Sequence, residues 1–274
     1  MEVQFIKLKR KNNMKNILII FILFFCIKCN TDNTNVISKI TYYDNGKIKS
    51  STNFITDTLK HGIEKFFYST GSLKEETDYN YGKINGWQKF YNIDGEIIGK
   101  IHYVDNFKNG FAYYYFENGQ IKLENFFLND RKFGMSKEYF ENKKLKRLVY
   151  KDFEGVTFYN IKNDSLGKLL KEEGVTFSPV FKSNFENNNV KLNHETIIEI
   201  AVAQIPKMYT KIYMNLQCNF SFNDSLSINN FTAIYKKTFT KVGKYKLITI
   251  GEIKNIQGLI KQRDSVITEI TVIP

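Results

Sequence analysis

The chain has 274 residues, of which 42% are hydrophobic and 15% aromatic, so extensive disorder is excluded because enough apolar material is present for a packed core. It has only three prolines and three cysteines, which excludes a proline-rich stalk and a disulfide framework. The net charge of +12 suggests nucleic acid as a ligand, but seven of the 40 basic residues fall in the first 41 positions. Beyond those positions both signs of charge are interspersed.

The N-terminal segment has the layout of a targeting signal. Five basic residues between positions 7 and 15 precede an unbroken apolar run over residues 17–27. This run is far shorter than the roughly 20 residues that span a bilayer, and a basic segment followed by a short apolar one is typical of a secretory signal. We therefore predict that residues 1–28 are a signal peptide and that the folded part is exported.

The end of the apolar run carries Cys26 and Cys29, and polar residues follow at 30–35. This arrangement resembles a bacterial lipoprotein signal, in which a cysteine at the cleavage point is lipidated. The resemblance implies lipidation of Cys29, with Cys26 as the alternative, and a polar tether over residues 29–41. It also implies a lipid-anchored location in the bacterial cell envelope, facing the periplasm or the cell surface. An ordinary cleaved signal or an uncleaved anchor is the other interpretation.

Two interleaved series of glycines recur with a period of 24 residues, apart from one step of 25. Lys143 stands where a fifth glycine of the first series is expected, and one more step reaches Gly167. A fixed period of this length indicates a repeat architecture, so we assign residues 42–173 to a repeat domain. The first series is Gly46, Gly71, Gly95 and Gly119, and the second is Gly62, Gly86, Gly110 and Gly134.

Each repeat is predicted to be a β-hairpin. Asn or Asp precedes most of the glycines, as in Asn45-Gly46 and Asn85-Gly86, and these pairs favour type I′ turns. Apolar and polar residues alternate between the turns, so neighbouring hairpins must stack into an elongated antiparallel array to bury their aromatic rows. The candidate aromatic binding face consists of Phe67, Trp87, Phe90, Tyr91 and Tyr115.

The segments Gly86-Trp87-Gln88-Lys89-Phe90-Tyr91 and Gly110 to Tyr115 resemble the MORN repeat in its bacterial variant form. The resemblance covers residues 42–173 and implies a MORN-like meander. It further implies a binding scaffold or membrane-associated platform, with no catalytic residues in the repeat. Because bacterial proteins of this type are often labelled antitoxin-like, the alternative is an antitoxin- or immunity-type module that binds a protein partner.

The remainder of the chain, residues 177–274, lacks the repeat and is predicted to be a small immunoglobulin-like β-sandwich, because about seven short strands fit that size. Tyr245 fits the tyrosine corner of such domains, although a tyrosine at an ordinary strand start is equally consistent. Residues 195–205 also fit helical spacing. The strand candidates are Phe177–Phe181, Val190–Leu192, Thr196–Ala203, Lys211–Phe222, Phe231–Phe239, Lys244–Ile253 and Val266–Ile273.

No constellation of residues predicts catalysis. The three histidines, His61, His102 and His194, lack partners at metal-ligand spacing, and Cys218 reads as an inert buried thiol. Adjacent acids such as Glu75-Glu76 and Glu172-Glu173 point to opposite faces of a strand. We therefore expect a non-enzymatic protein without cofactor or metal. Its expected partners are the membrane, through the lipid anchor, and a protein; a glycan is a further candidate, and nucleic acid is not expected.

Overall fold

The computed structural model describes residues 36–182, 189–205, 207–216 and 224–274. All regular structure in these residues is β-strand, and no helix occurs among them, so the predicted all-β fold class is confirmed. The predicted signal peptide, Cys26, Cys29 and Cys218 lie outside the described residues.

The repeats form one twelve-stranded antiparallel sheet in which every strand pairs with its neighbours in the chain. The sheet begins at Ile37, so residues 37–41, which the sequence assigned to a tether, belong to the first strand. The strands are β1 (Ile37–Tyr42), β2 (Ile48–Phe54), β3 (Gly62–Phe67), β4 (Leu73–Asn80), β5 (Lys83–Tyr91), β6 (Ile97–Val104), β7 (Phe107–Tyr115), β8 (Ile121–Leu128), β9 (Arg131–Tyr139), β10 (Leu145–Lys151), β11 (Thr157–Asn163) and β12 (Leu169–Gly174).

The turns at the first glycine series differ from the predicted type I′. The amide of Gly46 donates to the carbonyl of Tyr43 at 2.9 Å, and Gly46 has φ +78° whereas Asn45 does not have a positive φ. A type I turn followed by a left-handed residue produces this pattern, together with a bulge in the adjoining strand pair, seen here between Thr41 and Tyr42. The type I′ prediction is therefore wrong at these turns, because type I′ needs φ above zero at both central residues.

Type I′ turns do occur, but at the opposite ends of the strands. Asp105 and Asn106 have φ of +50° and +75°, and they join β6 to β7 directly. The second glycine series was predicted to lie in turns and lies instead at strand positions. Gly86 in β5 and Gly110 in β7 have φ of +127° and +107° and stand beside bulges, where a residue without Cβ relieves the backbone.

Lysines of the repeats contact the neighbouring turns. Lys47 Nζ donates to the carbonyl of Thr70 at 2.6 Å, and Lys144 Nζ donates to that of Leu166 at 2.7 Å, in each case one repeat further on. Lysines two positions later stand over aromatic rings, as Lys49 does over Tyr43 at 5.8 Å. Part of the positive charge of the chain thus serves to stack the repeats.

The rest of the chain folds into two sheets with the topology of an immunoglobulin-like sandwich. One sheet has the order β13-β15-β19-β18 and the other β14-β21-β20-β16-β17, in which β14 runs parallel to β21. The strands are β13 (Phe177–Lys182), β14 (Asn189–Lys191), β15 (Glu195–Val202), β16 (Met208–Leu216), β17 (Asp224–Leu226), β18 (Ile228–Asn229), β19 (Thr232–Thr238), β20 (Gly243–Asn255) and β21 (Ile260–Ile273).

A strand occurs at each of the seven predicted places, and β17 and β18 add two short ones. Of the predicted strand Lys211–Phe222, residues 217–222 lie outside the described residues. The helical alternative for residues 195–205 is wrong, since β15 pairs on both sides. The tyrosine corner is confirmed: the hydroxyl of Tyr245 donates to the carbonyl of Lys241 at 2.8 Å.

The array and the sandwich share a hydrophobic core. Phe126, Tyr150 and Phe158 of the array pack against Phe231 and Ile253 of the sandwich. The ring centroid of Phe231 lies 5.5 Å from that of Phe126 and 5.9 Å from that of Tyr150. The hydrophobic core is therefore continuous across residue 175, where the chain passes from the array to the sandwich.

Polar contacts close the same junction. The Tyr150 hydroxyl donates to the carbonyl of Gln204, and the amide of Thr176 donates to Asp264 Oδ2 at 2.6 Å. Burial raises the pKa of Tyr150 well above its usual range. Because both apolar and polar contacts join them, the two parts are expected to move together.

Candidate functional site

One face of the repeat sheet carries a cluster of partly exposed aromatic rings next to the sandwich. We name this face the sandwich face, because it includes Phe111 and Phe126, which join the shared core. The opposite side, the far face, carries a separate small cluster around Ile101, Ala112 and Phe127. Successive residues of a strand point to opposite faces, so Phe126 and Phe127 are divided between the two.

The cluster on the sandwich face, which we name the aromatic shelf, consists of Trp87, Lys100, His102, Phe111 and Tyr113. Strand register brings these residues together, because Trp87 pairs with His102 and Lys100 pairs with Tyr113. The ring centroids of Trp87 and His102 are 5.1 Å apart, and those of Trp87 and Tyr113 are 6.2 Å apart. Phe111 stacks on Tyr113 at 5.9 Å and links the shelf to the junction.

Lys100 sits between two rings of the shelf. Its Nζ lies 4.8 Å from the centroid of Trp87 and 5.0 Å from that of Tyr113. A cation held over two aromatic faces is stabilised by their quadrupoles and also orders the rings. His102 is held by a hydrogen bond of 2.8 Å between its Nδ1 and the carbonyl of Asn109. The shelf is therefore organised before any ligand arrives.

A charged network borders the shelf. Glu76 accepts a hydrogen bond from the Tyr91 hydroxyl at 2.9 Å and one from Lys89 Nζ at 3.3 Å. Burial disfavours the charged form of Glu76, but these two hydrogen bonds and the charges of Lys89 and Lys65 together outweigh it and hold its pKa below the usual value. Burial together with Glu76 raises the pKa of Tyr91 to about 12. Glu76 thus stays ionised and Tyr91 stays protonated near neutral pH.

The five residues of the predicted aromatic face do not all share one side. Trp87 belongs to the shelf and Tyr91 to the bordering network, whereas Phe90 packs on the far face with Ile101 and Phe127. The prediction of one common face is wrong for Phe90, because adjacent strand residues alternate. Phe67 and Tyr115 lie at the bulged ends of β3 and β7.

Lys100, His102, Phe111 and Tyr113 were not predicted as site residues. The signal that identifies them is strand pairing, which sets His102 opposite Trp87 and Tyr113 opposite Lys100 and which the 24-residue period alone does not reveal. The glycines of the first series lie at exposed turns, and those of the second series lie at strand bulges.

The described residues contain no group of three or more histidine, cysteine or acidic side chains able to hold a metal ion. Glu75 and Glu76 face opposite sides as predicted: Glu75 accepts from Gln88 at 2.8 Å, while Glu76 accepts from Lys89. The arrangement of the shelf is suited to stacking and to charge contacts rather than to proton transfer between paired carboxyls.

No protein-family model and no curated protein matches this chain. Among solved structures, it is similar to a point mutant of S. aureus TarM in complex with fondaparinux, alpha-GlcNAc-glycerol and UDP, with a TM-score of 0.28 and 12% identity over 52% of this chain and 24% of that one. It is also similar to the extracellular domain of a proposed one-component system from B. thetaiotaomicron, with a TM-score of 0.25 and 12% identity over 86% of this chain and 36% of that one. The chain thus spans about a quarter and a third of these two, and neither similarity assigns a function.

The described part of the chain contains no helix that is long and apolar enough to cross a bilayer.

Proposed function

We propose that this chain is an exported, lipid-anchored binding platform of the bacterial cell envelope and not an enzyme, with the MORN-like array as its binding part. The observation that carries the proposal is the aromatic shelf. The side chains of Trp87 and Tyr113 are partly exposed to solvent. Burying such large rings against a partner would be more favourable than leaving them exposed. Rings of this kind, held in place by Lys100, offer apolar surface against which a partner's apolar side chains or a sugar ring can pack.

The shelf is tested by binding to envelope material. Full-length wild type should bind isolated envelope fractions saturably, and a Trp87→Ala/Tyr113→Ala variant should bind about tenfold more weakly, because two stacking surfaces are removed. Tyr42→Ala/Tyr81→Ala is the matched control, since both tyrosines are exposed and lie outside the shelf. Equal binding by the shelf variant and the wild type would refute the role of the shelf.

Separating the fractions into protein and cell-wall glycan identifies the class of partner. A protein partner is expected to account for the binding, and transfer of the shelf-dependent signal to the glycan fraction would assign the rings to sugar stacking instead.

The lipid anchor has its own test. A Cys29→Ala variant should appear in the soluble fraction, while the wild type stays with membranes, because the variant lacks the cysteine that carries the lipid. The Cys26→Ala/Cys29→Ala double variant removes both candidates. Its retention in membranes would contradict lipidation.

An antitoxin- or immunity-type module that binds a protein is the second candidate, and the tip of the β20–β21 hairpin favours it. Ile256 is 81% exposed and Leu259 is 62% exposed, which is unusual for aliphatic side chains at a hairpin tip. An Ile256→Ser/Leu259→Ser variant should lose a protein partner under this alternative while retaining binding through the shelf. If the shelf variant alone loses binding, the alternative is rejected.

A further inference from the structure

A cavity of about 250 Å³ opens on the far face of the sheet, over strands β8 to β11. We propose that it binds a small organic anion, a carboxylate or a phosphate ester. The site is distinct from the aromatic shelf, which lies on the other face. The residues of the cavity on which the argument rests are Asn125, Lys132, Ser136, Glu138, Arg147 and Lys151.

Comparison of one repeat with the next explains why a cavity exists at this place. In the preceding repeat, Tyr114 and Phe127 fill the far face together with Ile101. The residues 24 positions after Tyr114 and Phe127 are Glu138 and Lys151. The register is the same, because Lys151 pairs with Gly134 just as Phe127 pairs with Gly110. The side chains that close the sheet surface in one repeat are therefore replaced by charged ones in the next.

The stability of the fold does not favour replacing these aromatic side chains with charged ones. Burying a large apolar side chain stabilises a fold, and a charged side chain at the same position gives up that stabilisation. Repeat arrays do become polar in their terminal capping units. However, Asn125 lies on β8 and Ser136 on β9, and three further strands follow β9 before the edge of the sheet. A polar cap therefore does not account for the cavity.

The other polar region of the far face shows what a closed arrangement looks like. Glu64, buried near the start of the array, accepts from Thr52 at 2.8 Å and from Lys60 at 2.7 Å. Lys60 in turn stands over the ring of Tyr79 at 4.7 Å. Every charge there has a partner within the chain, whereas the charges around the cavity are only partly matched.

The charges around the cavity leave a positive surplus. Glu138 is neutralised by Lys146, whose Nζ lies 2.6 Å from its carboxylate. Among the residues that the structure describes, Arg147 donates only through its Nε, to Asn160 at 3.1 Å, so the two terminal nitrogens of its guanidinium can contact a ligand. Glu173 lies close enough to Arg147 to feel its charge, but it is bonded to Lys171 at 2.7 Å.

The two lysines are placed differently. Lys151 Nζ is held at the rim by the carbonyl of Gly155 at 2.8 Å. Lys132 is exposed, and its ammonium has no partner among the residues that the structure describes. Lys151 thus provides a fixed positive charge at the cavity, and the ammonium of Lys132 can move to contact a bound anion. Charge-assisted hydrogen bonds of this type are about twice as strong as neutral ones.

The floor of the cavity supplies a further donor. Asn125 is only 2% exposed, and its side-chain oxygen accepts from the Ser136 hydroxyl at 2.8 Å. Because that oxygen already accepts a hydrogen bond, the amide NH₂ group is the donor that Asn125 can offer to an anion in the cavity. An anion bound between Asn125 and Arg147 would receive donors from below and from the side.

Binding is measured by calorimetry with the full chain, using inorganic phosphate, glucose 6-phosphate and glucuronate as probes. We expect saturable binding of at least one organic probe. A Lys132→Gln/Arg147→Gln variant should bind it at least about tenfold more weakly, since two charge-assisted contacts are lost. Phosphate and carboxylate probes distinguish the two anion classes. Added salt should weaken the binding further.

The matched control is Lys237→Gln/Lys244→Gln, which removes two exposed positive charges from the sandwich. It should bind like the wild type and unfold at the same temperature. A Trp87→Ala variant should also keep full anion binding, which separates this site from the shelf. Absence of binding for all three probes, or equal weakening in the control, would overturn the proposal.

Discussion

Gly134 of the array and Phe231 of the sandwich are in direct contact. A Cβ on Gly134 would lie 2.6 Å from Cδ2 of Phe231, and Gly134 also has φ +59°. The glycine therefore admits the ring that joins the two parts of the molecule. The glycine that recurs at this position of the repeat is therefore required here for two reasons, the backbone conformation and the contact with the sandwich.

The first prediction concerns this contact. Gly134→Ala should lower the free energy of unfolding by about 2–3 kcal/mol, because it adds overpacking to the cost of a left-handed alanine. Gly119→Ala is the control: φ there is +74° and no atom lies within 4 Å of the added Cβ, so it should cost only about 1–2 kcal/mol. Chemical denaturation measures both. In a Phe231→Ala background the excess cost of Gly134→Ala should vanish, and its persistence would refute the steric explanation.

The second prediction concerns Lys143, which occupies a glycine position of the repeat with φ +67°. Lys143→Gly should stabilise the protein by about 1 kcal/mol, because glycine adopts this conformation without steric cost. Glu141→Gly, two residues earlier in the same turn, should instead be neutral or destabilising, since Glu141 does not have a positive φ. Thermal unfolding of the two variants decides the matter, and an equal response of both would show that the conformation at residue 143 is not strained.

The third prediction concerns the tyrosine corner. Tyr245→Phe removes the hydrogen bond to the Lys241 carbonyl and should destabilise the sandwich by about 1 kcal/mol. Tyr209→Phe removes a hydroxyl from an exposed tyrosine and should have little effect. The measurement is urea denaturation. Equal stability of the Tyr245→Phe variant and the wild type would mean that the corner contributes nothing.

The fourth prediction concerns acid. Burial disfavours the charged form of Glu252, but hydrogen bonding to Lys254 and the charges of Lys254 and Arg263 prevail and lower its pKa. Nζ of Lys254 lies 2.8 Å from the carboxylate, and a terminal nitrogen of Arg263 lies 3.0 Å from it. Since the folded pKa is below the unfolded one, near 4.3, the stabilisation is present above that pH and is lost as the pH falls through the folded pKa.

Glu252→Gln should therefore be less stable than the wild type at pH 7 and should lose less stability on acidification below about pH 4.3. Glu117→Gln, at an exposed turn residue, should retain the acid response of the wild type. The free energy of unfolding measured across this range tests the prediction. Parallel curves for the wild type and Glu252→Gln would contradict it.

Individual residues show which features of the structure could be predicted from the sequence. The 24-residue period predicted the hairpin array, and the tyrosine corner was one of two interpretations open for Tyr245, because each depends on neighbours close in the chain. The hydrogen bond to Lys241 decides for the corner. Phe90 was assigned to the wrong face and Asn85-Gly86 to a turn. For Phe90 the alternation of strand residues decided the face, and for Asn85-Gly86 a bulge that is invisible in the period decided the position.

By itself, the sequence determined the all-β class, the two kinds of β architecture and the strand positions, since alternation and turn-forming residues act locally. Only the tertiary structure decided that Phe231 docks on Phe126 and Tyr150, that Lys100 lies between Trp87 and Tyr113, and that a cavity replaces the apolar fill beside Lys151. These relationships depend on which strands lie side by side and on which face of the sheet the sandwich covers. Contacts between residues distant in the chain set both.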